Sequence, residues 1–253
     1  MSAVADLVTV SDDGPVRIVR MNRPEKKNAL TVPMYAAIAD AIEGAGADPA
    51  LRCIVIAGVP GAFCAGNDLQ DFLAASRDAE GLAPPLLRFL VTLAHAETPL
   101  VAAVSGLAVG IGTTMLLHCD HVVASSEARF STPFVHLGLV PEAASSLLAP
   151  RRMGHARAFA LLAMGRPLDA AGAATAGIVN TVVAPAEVDA EAMKAAHEIA
   201  ALPVEALAAT RRLLRGSSDA AVARIEQEAD LFGVRLASPE ARSAFEAFLA
   251  RKK

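Results

Sequence analysis

Glu142 lies in the segment LVPEAASS (139–146) and is the one Asp, Glu, Lys or Arg between residues 130 and 150. Because it follows Pro141, it suits the first turn of a helix, where a negative charge gains about 0.3–1 kcal/mol from the helix dipole. Alternatively, its apolar neighbours bury the carboxylate, which raises its pKa and makes it a proton shuttle near neutral pH. The segment leaves both interpretations open.

A glycine-rich turn follows a short apolar run in SGLAVGIGTTMLLHCD (105–120). The spacing of Gly106, Gly110 and Gly112 matches neither the dinucleotide fingerprint nor a P-loop, because no Gly-Lys-Ser/Thr follows. Free N–H groups at the start of the next helix could stabilise an oxyanion. Close helix–strand packing explains the small residues equally well.

A second turn that could bind a ligand lies in AFCAGNDL (62–69). Its glycine could let backbone N–H groups face a ligand. The alternative is an ordinary strand-to-helix loop with Asp68 as the N-cap.

Two further groups offer weaker chemistry. HCDH (118–121) crosses from a helix end into a strand, so His118 and His121 should diverge, and we expect no metal site. His136 is predicted to be packed or hydrogen-bonded rather than catalytic, and Ser105 lacks a G-x-S-x-G setting.

The elements that must position these residues follow an α/β pattern. Alternation or short apolar runs predict strands, and apolar residues at helical spacing predict helices. The predicted strands are 16–24, 53–58, 100–106, 120–125 and 178–183, and the predicted helices between them include 31–48 and 84–97. Strands that alternate with helices indicate βαβ units and mostly parallel pairing.

From about residue 186 the pattern becomes helical without intervening strands. We therefore predict a core of residues 1–190 and a helical region of residues 191–253. Apolar faces of such an appended region need a partner, which favours a role in assembly.

Composition limits the class of protein. The 253 residues are 54% hydrophobic with a net charge of −4, and no basic stripe favours nucleic-acid binding. Apolar runs are too short for a membrane span, and the N-terminus MSAVADLVTVSDDG does not resemble a signal peptide. Three cysteines without a CxxC fit reduced thiols. We expect a cytoplasmic protein.

Taken together, the motifs resemble the crotonase (enoyl-CoA hydratase/isomerase) superfamily over nearly the whole chain. The matching segments, in family order, are NRPEKKNAL (22–30), FCAGNDL (63–69), LVAAVSGLAVGIGTTMLLHCDHVVAS (100–125), ARFSTPFVHLGLVPEAASS (128–146) and AGIVNTVV (176–183). The resemblance implies ββα units wound into a superhelix and a C-terminal helical region that forms a homotrimer or a dimer of trimers.

The resemblance also implies the ligand and its contacts. The substrate is an acyl-CoA thioester, with no further cofactor, and its carbonyl oxygen is held by the backbone N–H groups of Asn67 and Ile111. Lys26 and Lys27 match the loop near the CoA phosphates. The residues implied around the substrate are Lys26, Lys27, Asn28, Ala65, Gly66, Asp68, Leu69, Gly110, Thr114, Phe134, Leu137 and Pro141.

The sequence departs from the hydratases at both catalytic carboxylates, where it has Thr114 and Phe134. Neither side chain can act as the missing acid or base, so hydration is not expected. The closest resemblance is to the peroxisomal-type Δ3,Δ2-enoyl-CoA isomerases, which implies Glu142 as the single base. Where that branch usually has glycine, this chain has Ala143. The alternatives are another crotonase reaction that uses His136, Ser145 or Ser146, or an acyl-CoA-binding protein without activity.

Overall fold

The computed structural model describes residues 7–70 and 82–250. Its strands are β1 (Val8–Asp13), β2 (Val16–Met21), β3 (Cys53–Ala57), β4 (Gly61–Cys64), β5 (Leu100–Val104), β6 (Gly106–Val109), β7 (His121–Ser125), β8 (Arg129–Ser131), β9 (Leu168–Asp169) and β10 (Thr181–Val183). Its helices are α1 (Val32–Ala47), α2 (Pro84–His95), α3 (Ile111–Thr114), α4 (Ser145–Met153), α5 (His155–Leu162), α6 (Ala170–Thr175), α7 (Val188–Ala200), α8 (Val204–Arg215), α9 (Asp219–Leu236) and α10 (Pro239–Ala250).

In the described part of the chain, one sheet contains six strands in the order β1-β2-β3-β5-β7-β10. Only the β1–β2 pair is antiparallel, so the predicted parallel pairing is confirmed. All residues of β3 (CIVIA) and β5 (LVAAV) are buried, as expected for strands covered on both faces. The sequence pattern did not predict β1, and β10 is shorter than the predicted strand 178–183.

A second sheet has the order β4-β6-β8-β9, in which only the β8–β9 pair is antiparallel. Each strand of this sheet has four residues or fewer. The hydrophobic periodicity of the sequence therefore did not predict this sheet. A strand of the first sheet continues into one of the second: β3 precedes β4, β5 precedes β6, and β7 precedes β8. These paired strands with their helices form the ββα units that the resemblance implied.

Helix α7 packs against the six-stranded sheet, with Val188, Ala192 and Ala196 in a buried cluster that includes Val55 and Val101. The predicted boundary after residue 190 therefore falls inside α7. Helices α8, α9 and α10 follow, and all the elements from α7 onward are helical, as the sequence predicted.

Arg211 joins α8 to the core. Its Nε lies 2.9 Å from Asp120, and its Nη1 donates to the carbonyl oxygens of Ala96 and Glu97 at 2.6 and 2.9 Å. Because this guanidinium is buried, its hydrogen bonds hold α8 firmly against the core. Among the described residues, no helix is long and apolar enough to cross a membrane.

Candidate active site

The loop of residues 65–68 is held by the loop of residues 27–30. Ala65 N–H donates to Lys27 O at 3.0 Å, and Leu30 N–H donates to Gly66 O at 2.8 Å. Asp68 N–H donates back to Leu30 O at 2.8 Å. These bonds flank Asn67 in a parallel bridge, so its own N–H points away from residue 30. That N–H is available to a ligand.

The second donor lies at the start of α3. Gly110 precedes this helix with φ 55°, a left-handed conformation that glycine adopts at little cost. The N–H groups of Thr113 and Thr114 donate to Gly110 O at 2.9 and 3.0 Å. Ile111 N–H is the first of the helix and has no acceptor among the described residues. It is therefore a second free donor.

Close packing accounts for another glycine in the same turn. A Cβ on Gly112 would lie 2.7 Å from Cys64 O and 2.8 Å from Cys64 Cβ, so α3 could not rest on β4 with any side chain there. Both interpretations of the glycine-rich turn therefore apply. Gly110 allows the backbone to expose a free N–H, and Gly112 allows the helix to pack closely on the strand.

Both donors line a cavity of about 750 Å³. Eleven of the predicted site residues line it: Lys26, Lys27, Ala65, Gly66, Asn67, Asp68, Leu69, Gly110, Ile111, Phe134 and Leu137. Phe232 of α9 and Phe245 of α10 also contribute, which the sequence did not predict. Four predicted site residues are not among those lining it: Asn28, Thr114, Pro141 and Glu142.

Asn28 is fully buried and supports the loops instead of facing the cavity. Its Nδ2 donates to the carbonyl oxygens of Ala62 and Phe63 at 2.9 and 3.0 Å, and its Oδ1 accepts from Arg23 N–H at 2.7 Å. The structure thus gives Asn28 a supporting role rather than the substrate contact predicted for it.

Glu142 lies outside the helix that follows it, because α4 begins at Ser145. The helix-dipole interpretation therefore does not describe it. Its side chain is 96% buried, with 4% exposure, and its Oε1 accepts a hydrogen bond from the Thr114 hydroxyl. Burial raises the pKa of Glu142 to about 8. The hydrogen bond from Thr114 acts in the opposite direction, and the charge of Glu228 adds to the rise.

Two left-handed alanines set the direction of the chain after Glu142. Ala143 and Ala144 have φ of 61° and 53°, conformations that cost a residue with a Cβ about 1 kcal/mol or more each. His118 Nε2 lies 2.7 Å from Ala143 O. A carbonyl only accepts, so Nε2 carries the proton, and burial lowers the pKa of His118 to about 4, which keeps the ring neutral. His118 therefore supports the loop that carries Glu142.

Tyr35, the single tyrosine of the chain, was missed by the sequence reasoning. Its hydroxyl donates to Asn67 Oδ1. Burial, and then the charge of Glu142, raise the pKa of Tyr35 well above its ordinary value of 10. Tyr35 contacts the Asn67 segment directly, and Thr114, three residues after Ile111, contacts Glu142. The carboxylate therefore lies next to α3, which begins with the free N–H of Ile111, and its charge acts on the tyrosine that contacts Asn67.

The remaining candidates have other partners. Asp68 Oδ1 accepts from Gln70 N–H at 3.0 Å, which is N-cap geometry, and its Oδ2 pairs with Arg23 at 2.8 Å. His136 is exposed, and its ring packs against Gly165, where a Cβ would lie 2.8 Å from Cε1. In the described part of the chain, no cluster of three or more His, Cys, Asp or Glu could hold a metal ion.

The buried carboxylate predicts a pH-dependent effect on stability. The pKa of Glu142 is about 8 in the fold and near 4.5 when unfolded, so the native state binds more protons between these values. The contribution of Glu142 to stability therefore falls as the pH rises from 4.5 to 8. Glu142→Gln cannot ionise but still accepts from Thr114. We expect it to melt roughly 10 °C above wild type at pH 8, since a shift of several pKa units, at about 1.4 kcal/mol each, amounts to a few kcal/mol.

Thermal melts of both proteins from pH 4.5 to 8.5 measure this difference. It should become small near pH 4.5, where the wild-type carboxyl is protonated in the fold and half protonated in the unfolded chain. A difference that stays constant over this range would mean that the carboxyl is not buried and perturbed as the structure has it.

The site contains two free peptide N–H groups and a buried carboxylate of raised pKa, groups of the kinds that can stabilise an oxyanion and move a proton. The family described as enoyl-CoA hydratase/isomerase matches residues 12–253. The chain belongs to this family, the crotonase superfamily, and has its fold.

Individual relatives carry both activities in their names. A probable enoyl-CoA hydratase of Rhizobium meliloti (strain 1021) is 32% identical over 98% of this chain and 96% of its own length. Enoyl-CoA delta isomerase 2 of Rattus norvegicus is 35% identical over 97% of this chain, which spans 64% of that relative. The crystal structure of an enoyl-CoA hydratase/isomerase from Pseudoalteromonas atlantica T6c has a TM-score of 0.91, 42% identity and 97% coverage of both chains.

Proposed function

We propose that the chain is an isomerase that converts 3-enoyl-CoA to trans-2-enoyl-CoA, with Glu142 as its single base. The observation that carries this proposal is the buried Glu142 carboxylate, which accepts a hydrogen bond from Thr114, three residues after Ile111. Moving a double bond needs one group that takes a proton from one carbon and returns it to another, and one site for the negative charge.

The reaction follows from these groups. The thioester oxygen accepts hydrogen bonds from the N–H groups of Asn67 and Ile111. Glu142 removes a proton from C2, and the electron pair moves into the conjugated system, giving a dienolate with its charge on the held oxygen. The protonated Glu142 then returns the same proton to C4, the double bond comes to lie between C2 and C3, and the carboxylate is regenerated.

The surroundings of Glu142 disfavour the addition of water. Hydration in this family uses two carboxylates, and this chain has Thr114 and Phe134 in those places; both are buried. Among the described residues that line the cavity, carboxylates come only from Glu25 and Asp68, and Asp68 pairs with Arg23. A dry site also keeps the substrate dienolate from side reactions.

The proposal requires that the acyl chain of the bound substrate reach beyond the described cavity. Since Glu142 is not among the residues that line the described cavity, the acyl chain must extend from that cavity past Ile111 to reach the carboxylate. The Thr114–Glu142 contact is the point at which the acyl chain and the base must meet.

The decisive experiment compares two reactions of the wild-type protein. Turnover of a medium-chain cis-3-enoyl-CoA is followed by the absorbance of the conjugated 2-enoyl thioester, and hydration of trans-2-enoyl-CoA is measured in parallel. We expect isomerisation and negligible hydration. Hydration as the faster reaction would favour the second candidate, an enoyl-CoA hydratase, which the name of the Rhizobium relative supports. Unchanged thioesters in both assays would indicate a binding protein without activity.

Lys26 and Lys27 are proposed to contact the CoA phosphates. Both are exposed at the cavity rim. We expect the double variant Lys26→Ala/Lys27→Ala to raise KM for the CoA thioester roughly three- to tenfold at low salt, with kcat unchanged, because the lysines interact with the carrier and not with the reacting carbons. The effect should shrink as salt rises.

A truncated N-acetylcysteamine thioester of the same acyl group is the control substrate, because it lacks the nucleotide. Its KM should be the same for the wild type and the double variant. An equal rise in KM for both thioesters would contradict the phosphate contact.

We also propose that the chain assembles as a homotrimer or a dimer of trimers. Large apolar side chains on α8 and α9 face solvent in the single chain, with Leu213 86% and Val234 70% exposed. Such surface is stabilised by burial against another subunit. A cytoplasmic location is proposed from the three buried, unpaired cysteines, Cys53, Cys64 and Cys119.

A further inference from the structure

The loop that carries Glu142 lacks a local support at the start of the next helix. Helix α4 begins at Ser145, its N-cap residue is Ala144, and no side chain of the loop caps it. The N–H groups of Ser145 and Leu147 find acceptors in the loop backbone, but Ser146 N–H has no backbone acceptor among the described residues. The side chain of an alanine N-cap cannot accept from it. The two left-handed alanines add strain at the same place.

Glu228, from the middle of α9, supplies the missing acceptor. Its Oε1 accepts from Ser146 N–H at 3.0 Å, and the Ala144 N–H is also close enough to lower the pKa of this carboxyl, although burial raises it overall. The side chain is 95% buried, with 5% exposure. One turn earlier on α9, Arg224 Nη1 donates to Ser146 Oγ at 3.0 Å. Helix α9 therefore holds the start of α4 through two side chains.

The same carboxylate also acts on the base, because the charge of Glu228 contributes to the raised pKa of Glu142. Glu142 O accepts from Ser145 N–H at 3.1 Å, so the backbone that bears the base is bonded to the turn that Glu228 caps. His118 holds this turn at Ala143 O, and Glu228 holds it at the next peptide groups. The strained turn is thus fixed from both sides.

We propose that Glu228 is a positioning residue for Glu142, so that the C-terminal helical region holds the catalytic loop in place. This inference rests on the proposed function of Glu142. It gives α9 a role in catalysis within its own chain, separate from any role in assembly. Loss of the cap should let Ala143 and Ala144 relax, moving the carboxylate away from the reacting carbons while leaving the binding of the CoA portion intact.

The test uses isomerase kinetics of the full chain. Glu228→Ala should lower kcat roughly ten- to a hundredfold, because an error of about 1 Å in the position of a catalytic group has effects of this size, while KM should change less than about threefold. Glu228→Gln should restore kcat to within about threefold of wild type, since its amide oxygen can accept from Ser146 N–H and its NH₂ can occupy the place of Oε2, which has no partner.

Ile225→Val, in the core one turn from Glu228, is the matched control for loss of stability on the same helix. It should lower the melting temperature by roughly 2–5 °C and leave kcat unchanged. If Glu228→Ala does not fold, Glu228→Asp carries the test, because it keeps the charge but withdraws the acceptor from Ser146, and kcat should again fall without a rise in KM.

Three results would overturn the inference while the proposed function stands: wild-type kcat in Glu228→Ala, a loss that lies in KM alone, or equal impairment of the alanine and glutamine variants. Failure of the proposed function looks different. In that case the wild-type protein shows no isomerisation, or Glu142→Gln isomerises as fast as wild type.

Discussion

Glu142→Gln is expected to lower the isomerase kcat by roughly 10²–10⁴-fold, the contribution of a positioned general base. Glutamine has nearly the same shape and still accepts from the Thr114 hydroxyl, so the loop and the cavity are preserved. It cannot hold the proton between its removal from C2 and its return to C4. Steady-state rates on a cis-3-enoyl-CoA measure the loss, and KM should change little because the CoA contacts are untouched.

Glu25→Gln is the matched control, because it neutralises another carboxylate that lines the cavity. It should keep kcat within about twofold of wild type. The pH profile gives an independent readout. Since catalysis needs the ionised carboxylate, and burial raises the pKa of Glu142 to about 8, kcat/KM should rise with pH up to that region. Wild-type rates in Glu142→Gln, or a pH profile flat from 6 to 9, would contradict Glu142 as the base.

The main sheet could be predicted from the sequence because its strands are short runs of buried apolar residues between glycines and prolines. β3 (Cys53–Ala57) and β5 (Leu100–Val104) are examples, and α1 and α2 have clear helical spacing. The second sheet could not be found by periodicity, since β8 has three residues and β9 only two. Strands of two or three residues are too short to show an alternation of apolar and polar side chains. Their pairing depends on how the chain passes from the first sheet to the second.

The site was predictable where it consists of local backbone. The turns before Asn67 and Ile111 carry glycines at the positions that free an N–H, and the resemblance implied both residues as donors. The support of Glu142 was not predictable, because it depends on tertiary contacts. Ala143 and Ala144 adopt φ values that alanine avoids when isolated, and they do so here because both are fully buried and held by distant residues.

Long-range contacts also explain the other residues that sequence reasoning missed. Tyr35 lies 32 positions before Asn67 and Glu228 lies 82 positions after Ser146, so neither pair has a spacing that could reveal it. Asn28 illustrates the converse error. Its neighbours Lys27 and Ala29 line the cavity, but its own amide turns inward and bonds three backbone groups. A motif identifies the loop, whereas the direction of each side chain depends on the packing around it.

Ile111→Pro is expected to lower kcat roughly 10²–10³-fold, the usual effect of losing one oxyanion donor. Ile111 is the first residue of α3, where the N–H has no role within the helix and proline is well tolerated. Gly110 has no Cβ to clash with the proline ring, so the turn should survive. The substitution thus removes one hydrogen bond to the thioester oxygen, the bond that strengthens as charge develops there.

Ile111→Val is the matched control, because it shortens the buried side chain but keeps the N–H. It should retain kcat within about threefold of wild type, whereas the proline variant should lose catalysis with a similar melting temperature and an unchanged pH profile, since Glu142 is not altered. Equal kinetics for the proline and valine variants would mean that the thioester oxygen is held elsewhere.

The combined variant Ile111→Pro/Glu142→Gln is expected to be little slower than the worse of the two single variants. The base and the donor stabilise one transition state, so their losses do not add.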